Sequence, residues 1–448
     1  MSTLRARLST RIRRWRRDPI AARLLGGALG TFSIKTAGTL LLHTRSFVLA
    51  ALMGPASYGL FAYVLAWTIL IGRTASLGLP TLVLRTVAAA PEDAARIRAH
   101  LRASARLVSG LGLAAGATFW ALTTILLAPT HPLRVVVPWV VGLPALLALS
   151  WLLASTLQGL ARPVLSQIGH FVIVPGLVIV AVLALRPVIP ANVETILVLH
   201  QLALVGALIF YHLVLNNIVP FAGGSETPSL RISTTIPFAT STVLSMLQLH
   251  VGTLVVGTLA GPAEAAIFDL AQRGSTLVAF VMTVVTIPLA PMVARLYHED
   301  RRRLWRALDV ARAVSLVGAV LMTLAYALFA PPLLATMGDA YRAAYVPLLV
   351  LSVGQIASAA FGPLGWILNM TGYERQAARD LGIGVAVQTI LAIGLATDLG
   401  ALGGAIAGAI GLCIWKACLR LSLRKVLRAG DCRQTPSVDT SDPRGARR

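Results

Sequence analysis

Residues 40–61 read LLLHTRSFVLAALMGPASYGLF, and residues 247–268 read LQLHVGTLVVGTLAGPAEAAIF. Leu42-His43, Gly54-Pro55-Ala56 and Phe61 return as Leu249-His250, Gly261-Pro262-Ala263 and Phe268, all at one offset of 207 (Gly54 to Gly261). Leu40/Leu247, Val48/Val255 and Leu52/Leu259 keep the same register. Gly159, Arg162 and Gly169 find a second echo in Gly372, Arg375 and Gly382, at an offset of 213 (Gly159 to Gly372). An apolar chain whose halves repeat points to two equivalent helical bundles with a path between them.

The composition supports that architecture. The chain is 56% hydrophobic and 12% charged, with a mean hydropathy of +0.78, outside the balance of a soluble domain. Runs long enough to cross a bilayer fall at 24–53, 58–84, 107–128, 135–157, 164–185, 193–220, 234–260, 265–294, 308–333, 344–368, 379–398 and 400–423. The expected fold is therefore an all-α polytopic membrane protein of about twelve spans, six in each half. Its expected parts are a basic amphipathic helix at 1–23, a first bundle at 24–220, a linker at 221–233, a second bundle at 234–428 and a disordered tail at 429–448. Spans 1 and 7 run in the same direction, so the repeat is parallel.

Net charge is +22, which in a soluble protein would suggest a nucleic-acid partner. Here the dense clusters, Arg5–Arg23, Arg85–Arg106, Arg295–Arg306 and Arg420–Arg448, all fall on one side of twelve spans, against Arg134, Arg186 and Arg342 in the opposite loops. The positive-inside rule then places both termini in the cytoplasm, and no nucleic-acid partner is expected. Leu4, Leu8, Ile12 and Trp15 recur at helical spacing among arginines, the pattern of a helix lying on an anionic inner leaflet. Cys413, Cys418 and Cys432 lack metal-ligand spacing. Nothing in the sequence resembles a P-loop, a metal-spaced His/Glu cluster or a nucleophile elbow, so neither an enzyme nor a cofactor is expected.

Charges deep in a span cost about 2.5–3.5 kcal/mol on insertion scales and usually face the bundle interior or water. Lys35, Arg45 and Arg73 lie in the first two spans, and Arg273 lies in the eighth, one turn from Asp269. Together they suggest a cationic cavity suited to an anionic substrate, phosphate above all, which arginine grips bidentately. The competing explanation is side chains snorkelling to the headgroups, or, for Asp269–Arg273, a purely structural i, i+4 ion pair. His43 and His250, equivalent in the repeat, together with Asp269 and Gln248, are candidates for coupling or for polar cavity lining. Tyr63 and Trp67, also i, i+4, read as interfacial anchors.

Met53-Gly54-Pro55-Ala56-Ser57-Tyr58-Gly59, followed by Leu77-Gly78-Leu79-Pro80 and Arg85, resembles the polysaccharide-biosynthesis flippases. These are the O-antigen-type members of the multidrug/oligosaccharidyl-lipid/polysaccharide (MOP) exporter superfamily. Leu368-Asn369-Met370-Thr371-Gly372-Tyr373-Glu374-Arg375 looks like that family's link after the tenth span. The resemblance implies two lobes in a V that pass an undecaprenyl-pyrophosphate-linked oligosaccharide across the inner membrane by alternating access. The pyrophosphate would meet Lys35, Arg45, Arg73 and Arg273, and a glycan polymerase or glycosyltransferase would be the partner. Two extra spans typical of the peptidoglycan-precursor branch are missing. A cation-coupled multidrug antiporter and a non-transporting scaffold for glycan assembly remain as alternatives.

Overall fold

A computed structural model describes residues 19–219, 235–299, 301–365, 368 and 373–433. Most of the expected amphipathic N-terminal helix, the 221–233 linker, the end of the tail and residues 369–372 of the link motif lie outside the described residues. The chain order is α1 Pro19–Ala75, α2 Leu79–Ala89, α3 Ala94–Leu126, α4 Leu143–Gly159, α5 Pro163–Leu185, α6 Val193–Ile218, α7 Ile236–Leu259, α8 Pro262–Glu299, α9 Arg301–Met337, α10 Tyr345–Phe361 and α11 Glu374–Arg433. Among the described residues there is no strand. A short helix, Pro132–Val136, and a 3₁₀ turn lead into α4, making one span bent by 45°.

α1 and α11 are each two spans. Unbroken, α1's 57 residues would reach about 85 Å at 1.5 Å per residue, far beyond a bilayer core. Gly54 breaks it with φ 75° and ψ 168°. His43 and Tyr58 show that the arms fold back: an unbroken helix would separate them by about 22 Å, yet both bond to one short stretch of α8 (residues 269–276). Gly400 (φ 53°) breaks α11 in the same way, which lets Arg379 and Ser422 meet at 3.2 Å. With both arms of each counted and the 11-residue α2 left aside, the described residues hold twelve helical segments, in keeping with the twelve apolar runs.

The repeated Gly-Pro now has a physical cause. Gly54 and Gly261 both have positive φ, 75° and 91°, and neither would bring a Cβ within 4 Å of a neighbour. The requirement is conformational rather than steric, since only glycine adopts that backbone freely. Proline follows as the opening residue of the next helix, where its missing N–H costs nothing. Glu264, two residues beyond Pro262, accepts a 2.8 Å bond from the Ala401 amide and pins the α11 break to the start of α8.

Helices α1 to α6 pack among themselves, as do α7 to α11, and the two sets meet where α1 runs along α7 and α8. Small residues set that seam. A Cβ on Gly59 would sit 1.7 Å from the Pro262 carbonyl, and one on Gly257 would sit 2.5 Å from the Tyr63 ring. Tyr63 Oη shares a 2.7 Å bond with Thr258 Oγ1, and Tyr341 donates to the Ala50 carbonyl at 2.9 Å. Tyr63 is therefore a buried seam residue and not the expected interfacial anchor; Trp67 packs on Phe119.

Two glycine substitutions should fail for different reasons. Gly54→Ala is expected to cost about 1–2 kcal/mol through left-handed backbone strain alone, with the seam intact. Gly59→Ala is expected to cost about 1–3 kcal/mol by overpacking and to weaken the α1–α8 contact. Unfolding titrations read the loss in both variants, and cysteine cross-linking across the seam should fall in Gly59→Ala only.

Candidate functional site

Three polar groups occupy the interior. The first lies on the seam. Asp269 of α8 is buried (8% side-chain exposure) and accepts from Arg273 Nε at 2.5 Å and from the Tyr58 hydroxyl of α1's second arm at 2.8 Å. His43 of the first arm approaches the same turn, with Nε2 2.9 Å from the Arg273 carbonyl and 3.0 Å from Thr276 Oγ1. Its Nδ1 lies 2.6 Å from the Thr39 carbonyl. His250, the repeat counterpart, lies within electrostatic reach of Asp269 and Arg273. The two equivalent histidines therefore converge on one ion pair.

The second group lies within the first half. Arg45 is 4% exposed, with one terminal nitrogen 3.4 Å from His200 Nδ1. Its Nε is buried and finds no hydrogen-bond partner among the described residues. The edge of Phe61 and the His200 ring face one another at 6.3 Å.

The third group sits toward the end of α1's second arm. The Arg73 guanidinium lies 3.5 Å above the Trp151 ring, a cation–π contact, and its Nε is again buried without a partner among the described residues. Trp151 stacks on His170 at 6.3 Å. His170 occupies a π-helical turn, Gly169–Ile173, inside α5, a distortion that widens the helix and often marks functional positions. Gly169 permits it: a Cβ there would lie 2.4 Å from the Tyr211 ring, whose hydroxyl donates to the Ser166 carbonyl at 2.8 Å. Arg73, Trp151 and His170 on one side, and Arg45 with His200 on the other, make up the interior polar run of the first half in two separately contacting groups.

That run lacks acids. Up to residue 220 the sequence contains Asp18, Glu92, Asp93 and Glu194 as its acids. Glu92 and Asp93 lie in the turn before α3, and Glu194 lies in the first turn of α6. The carboxylate that electrostatically reaches Arg45 is Asp269, across the seam, and it is already committed to Arg273 and Tyr58. A buried guanidinium with an unsatisfied N–H is unfavourable by several kcal/mol unless an anion meets it.

Of the predicted residues, His43, Arg45, His250, Asp269 and Arg273 come together at or beside the seam. Arg273 is neutralised there by Asp269, which separates it from the unpaired Arg45 and Arg73. Lys35 is half-buried on α1's first arm, ten residues before Arg45 (about 15 Å along the helix), and makes no hydrogen bond or ion pair among the described residues. Gln248 contributes its backbone carbonyl to Gln388 Nε2 at 3.4 Å. Sequence reasoning missed His170, His200 and Trp151. The signal available was weak, since each is one polar or aromatic residue in an apolar run. Among the described residues no group of His, Cys, Asp and Glu is arranged to hold a metal.

No family model and no curated sequence matches the chain. Solved structures do. An inward-facing multidrug-resistance MATE transporter of the MOP superfamily aligns at TM-score 0.70 and 17% identity, covering 91% of this chain and 100% of that one. The lipid II flippase MurJ, in an inward closed conformation, aligns at 0.69 and 13%, covering 88% and 87%. A MOP-superfamily transporter from Pyrococcus furiosus, described as having a binding pocket of reverse polarity, aligns at 0.56 and 17%, covering 93% and 97%. The chain has the MOP-superfamily fold.

The seam network makes a specific demand on stability. Asp269→Asn should destabilise by about 3–5 kcal/mol, because Arg273 is left buried and unpaired, whereas Asp269→Asn with Arg273→Met should recover most of that loss. Tyr58→Phe removes one bond to a charged acceptor and should cost about 1.5–3 kcal/mol. A double-mutant cycle on unfolding in detergent measures the coupling. Additive single losses would show that the pair is not coupled.

Proposed function

We propose that the protein is a flippase that carries a lipid-linked, anionic oligosaccharide across the cytoplasmic membrane by alternating access. On this proposal the lipid carrier is undecaprenyl pyrophosphate, both termini are cytoplasmic, and the product feeds synthesis of a cell-surface polysaccharide. The carrying observation is the pair of buried guanidiniums in the first half, Arg45 and Arg73, each with an unsatisfied Nε and no interior acid of that half to neutralise it. A pyrophosphate supplies what they lack: several charged acceptors that arginine binds in a forked geometry. Lys35, further along α1, extends the positive run toward the end of the bundle where the substrate would enter. Trp151 and His170 beside Arg73 and His200 beside Arg45 would offer sugar rings stacking and hydrogen-bonding surface.

The MOP fold supports transport as the activity class. Relatives of that fold named for multidrug resistance keep a cation-coupled antiporter in view, and the absence of an interior carboxylate from the first half weighs against it, because carboxylates are the usual carriers of coupling protons or sodium. Partners on the cytoplasmic or outer face, a glycosyltransferase or polymerase, belong to the same proposal.

Arg45→Gln and Arg73→Gln should each lower surface-polymer production, or flipping of a lipid-linked oligosaccharide in vesicles, by about ten- to a hundredfold. That range is what the loss of one charge-assisted bond of about 1.5–3 kcal/mol implies. Membrane insertion, checked by protease protection of the termini, should be unchanged. Normal polymer from correctly inserted variants would refute the proposal, and loss of drug tolerance with normal polymer would favour the antiporter.

A further inference from the structure

A second basic site lies in the other half, far from Arg45 and Arg73 in the sequence. Between α9, the end of α10 and the second arm of α11 is a cleft with roughly 640 Å³ of atom-free space, part of it open to the outside. Arg312 of α9 and Arg420 and Arg424 of α11 line it, with Asp309 as the acid among its lining residues, and Phe361 and Leu364 provide apolar walls. Positive charge at the ends of spans follows from topology alone. Convergence of three guanidiniums from two helices on one concavity does not.

Two observations show that the cleft is undercompensated. None of the three arginines has a hydrogen bond or ion pair among the described residues. Arg420 and Arg424 are four apart on one helix, and Lys416, 5% exposed, precedes them by another turn. Like charges at i, i+4 repel and destabilise an isolated helix, so the stripe Lys416–Arg420–Arg424 is tolerated best with an anion beside it.

The surroundings say what kind of anion. Phe361 and Leu364 wall the cleft beside the arginines, and α11 exposes Leu421 next to Arg420, so apolar surface adjoins the cations. A ligand with a phosphate at one end and hydrocarbon at the other matches both parts. We infer that this cleft binds the phosphate headgroup of an anionic membrane phospholipid, with its acyl chains against the adjoining apolar surface. Basic pockets between spans are a recognised mode of anionic-lipid binding. The site does not depend on the transported substrate, and it uses neither Arg45 nor Arg73.

Native mass spectrometry of the full chain, released from nanodiscs, tests this directly. Phosphatidylglycerol should be retained on the wild-type protein and phosphatidylcholine should not. Arg312→Gln with Arg424→Gln should weaken phosphatidylglycerol retention at least about tenfold, the effect of losing about 1.4 kcal/mol of binding, while Arg45→Gln should leave it unchanged. Should the arginine variant fail to fold, Asp309→Asn carries the test, because removing the one opposing carboxylate should tighten retention. Equal retention of the two lipids, an unaffected arginine variant, or no gain with Asp309→Asn would overturn the site. Displacement of phosphatidylglycerol by inorganic phosphate at millimolar concentration would show a free-anion site and overturn the lipid assignment. Loss of flipping in Arg45→Gln with lipid retention intact would separate this site from the transport path.

Discussion

Asp269 is the carboxylate on which the two halves are joined. It is buried, it is bound to Arg273 on its own helix, and it receives the Tyr58 hydroxyl from the other half. His43 reaches the same turn through the Arg273 carbonyl and Thr276. Among the described residues Arg45 lies within reach of both members of the pair, and the positive charge of Arg273 acts on it more strongly than the negative charge of Asp269. The pair is therefore a self-neutralised anchor in a seam where Gly59 and Gly257 let the helices approach closely.

The scaffold is duplicated but the chemistry is not. Gly54-Pro55 and Gly261-Pro262 impose the same backbone break in both halves, and His43 and His250 flank one ion pair. At the offset that relates them, however, Lys35 and Arg45 become Thr242 and Gly252. Asp269 and Arg273 correspond to Ala62 and Ala66, so the second half holds an ion pair at the seam where the first half holds alanines. A symmetric frame with asymmetric charge gives one half cations without an acid of their own and the other half the self-paired carboxylate that anchors the contact.

The fold was legible because it rests on signals that are local and strong. Long apolar runs fix helix number, and a glycine followed by proline at a repeated offset marks the helix breaks. The Asp269–Arg273 pair was legible for the same reason, as helical spacing alone brings i and i+4 together. Interior geometry was harder. Which cations lie unpaired depends on three-dimensional neighbours: Arg273 looks equivalent to Arg45 in sequence and differs only because a carboxylate lies one turn away. His170 sits in a π-turn and stacks on Trp151, and neither feature is visible in hydropathy. Tyr63 reads as an interfacial aromatic until the partner helix supplies Thr258 for its hydroxyl.

The seam also bears on how such a molecule could move under the proposed alternating access. Parting the halves need not break the Asp269–Arg273 salt bridge, because both residues belong to α8 and travel together. What crosses the seam in this network is the Tyr58 bond to Asp269 and the His43 contact with the Arg273 turn. Losing those two interactions costs about 2–4.5 kcal/mol at the usual worth of bonds to charged and neutral acceptors, and water entering the opened seam returns part of it. An ion pair shared between the halves would leave two unpaired buried charges and cost about 3–5 kcal/mol for that pair alone. Placing the strong pair within one helix and only hydrogen bonds across the boundary therefore keeps the closed state specific in register while leaving it able to open.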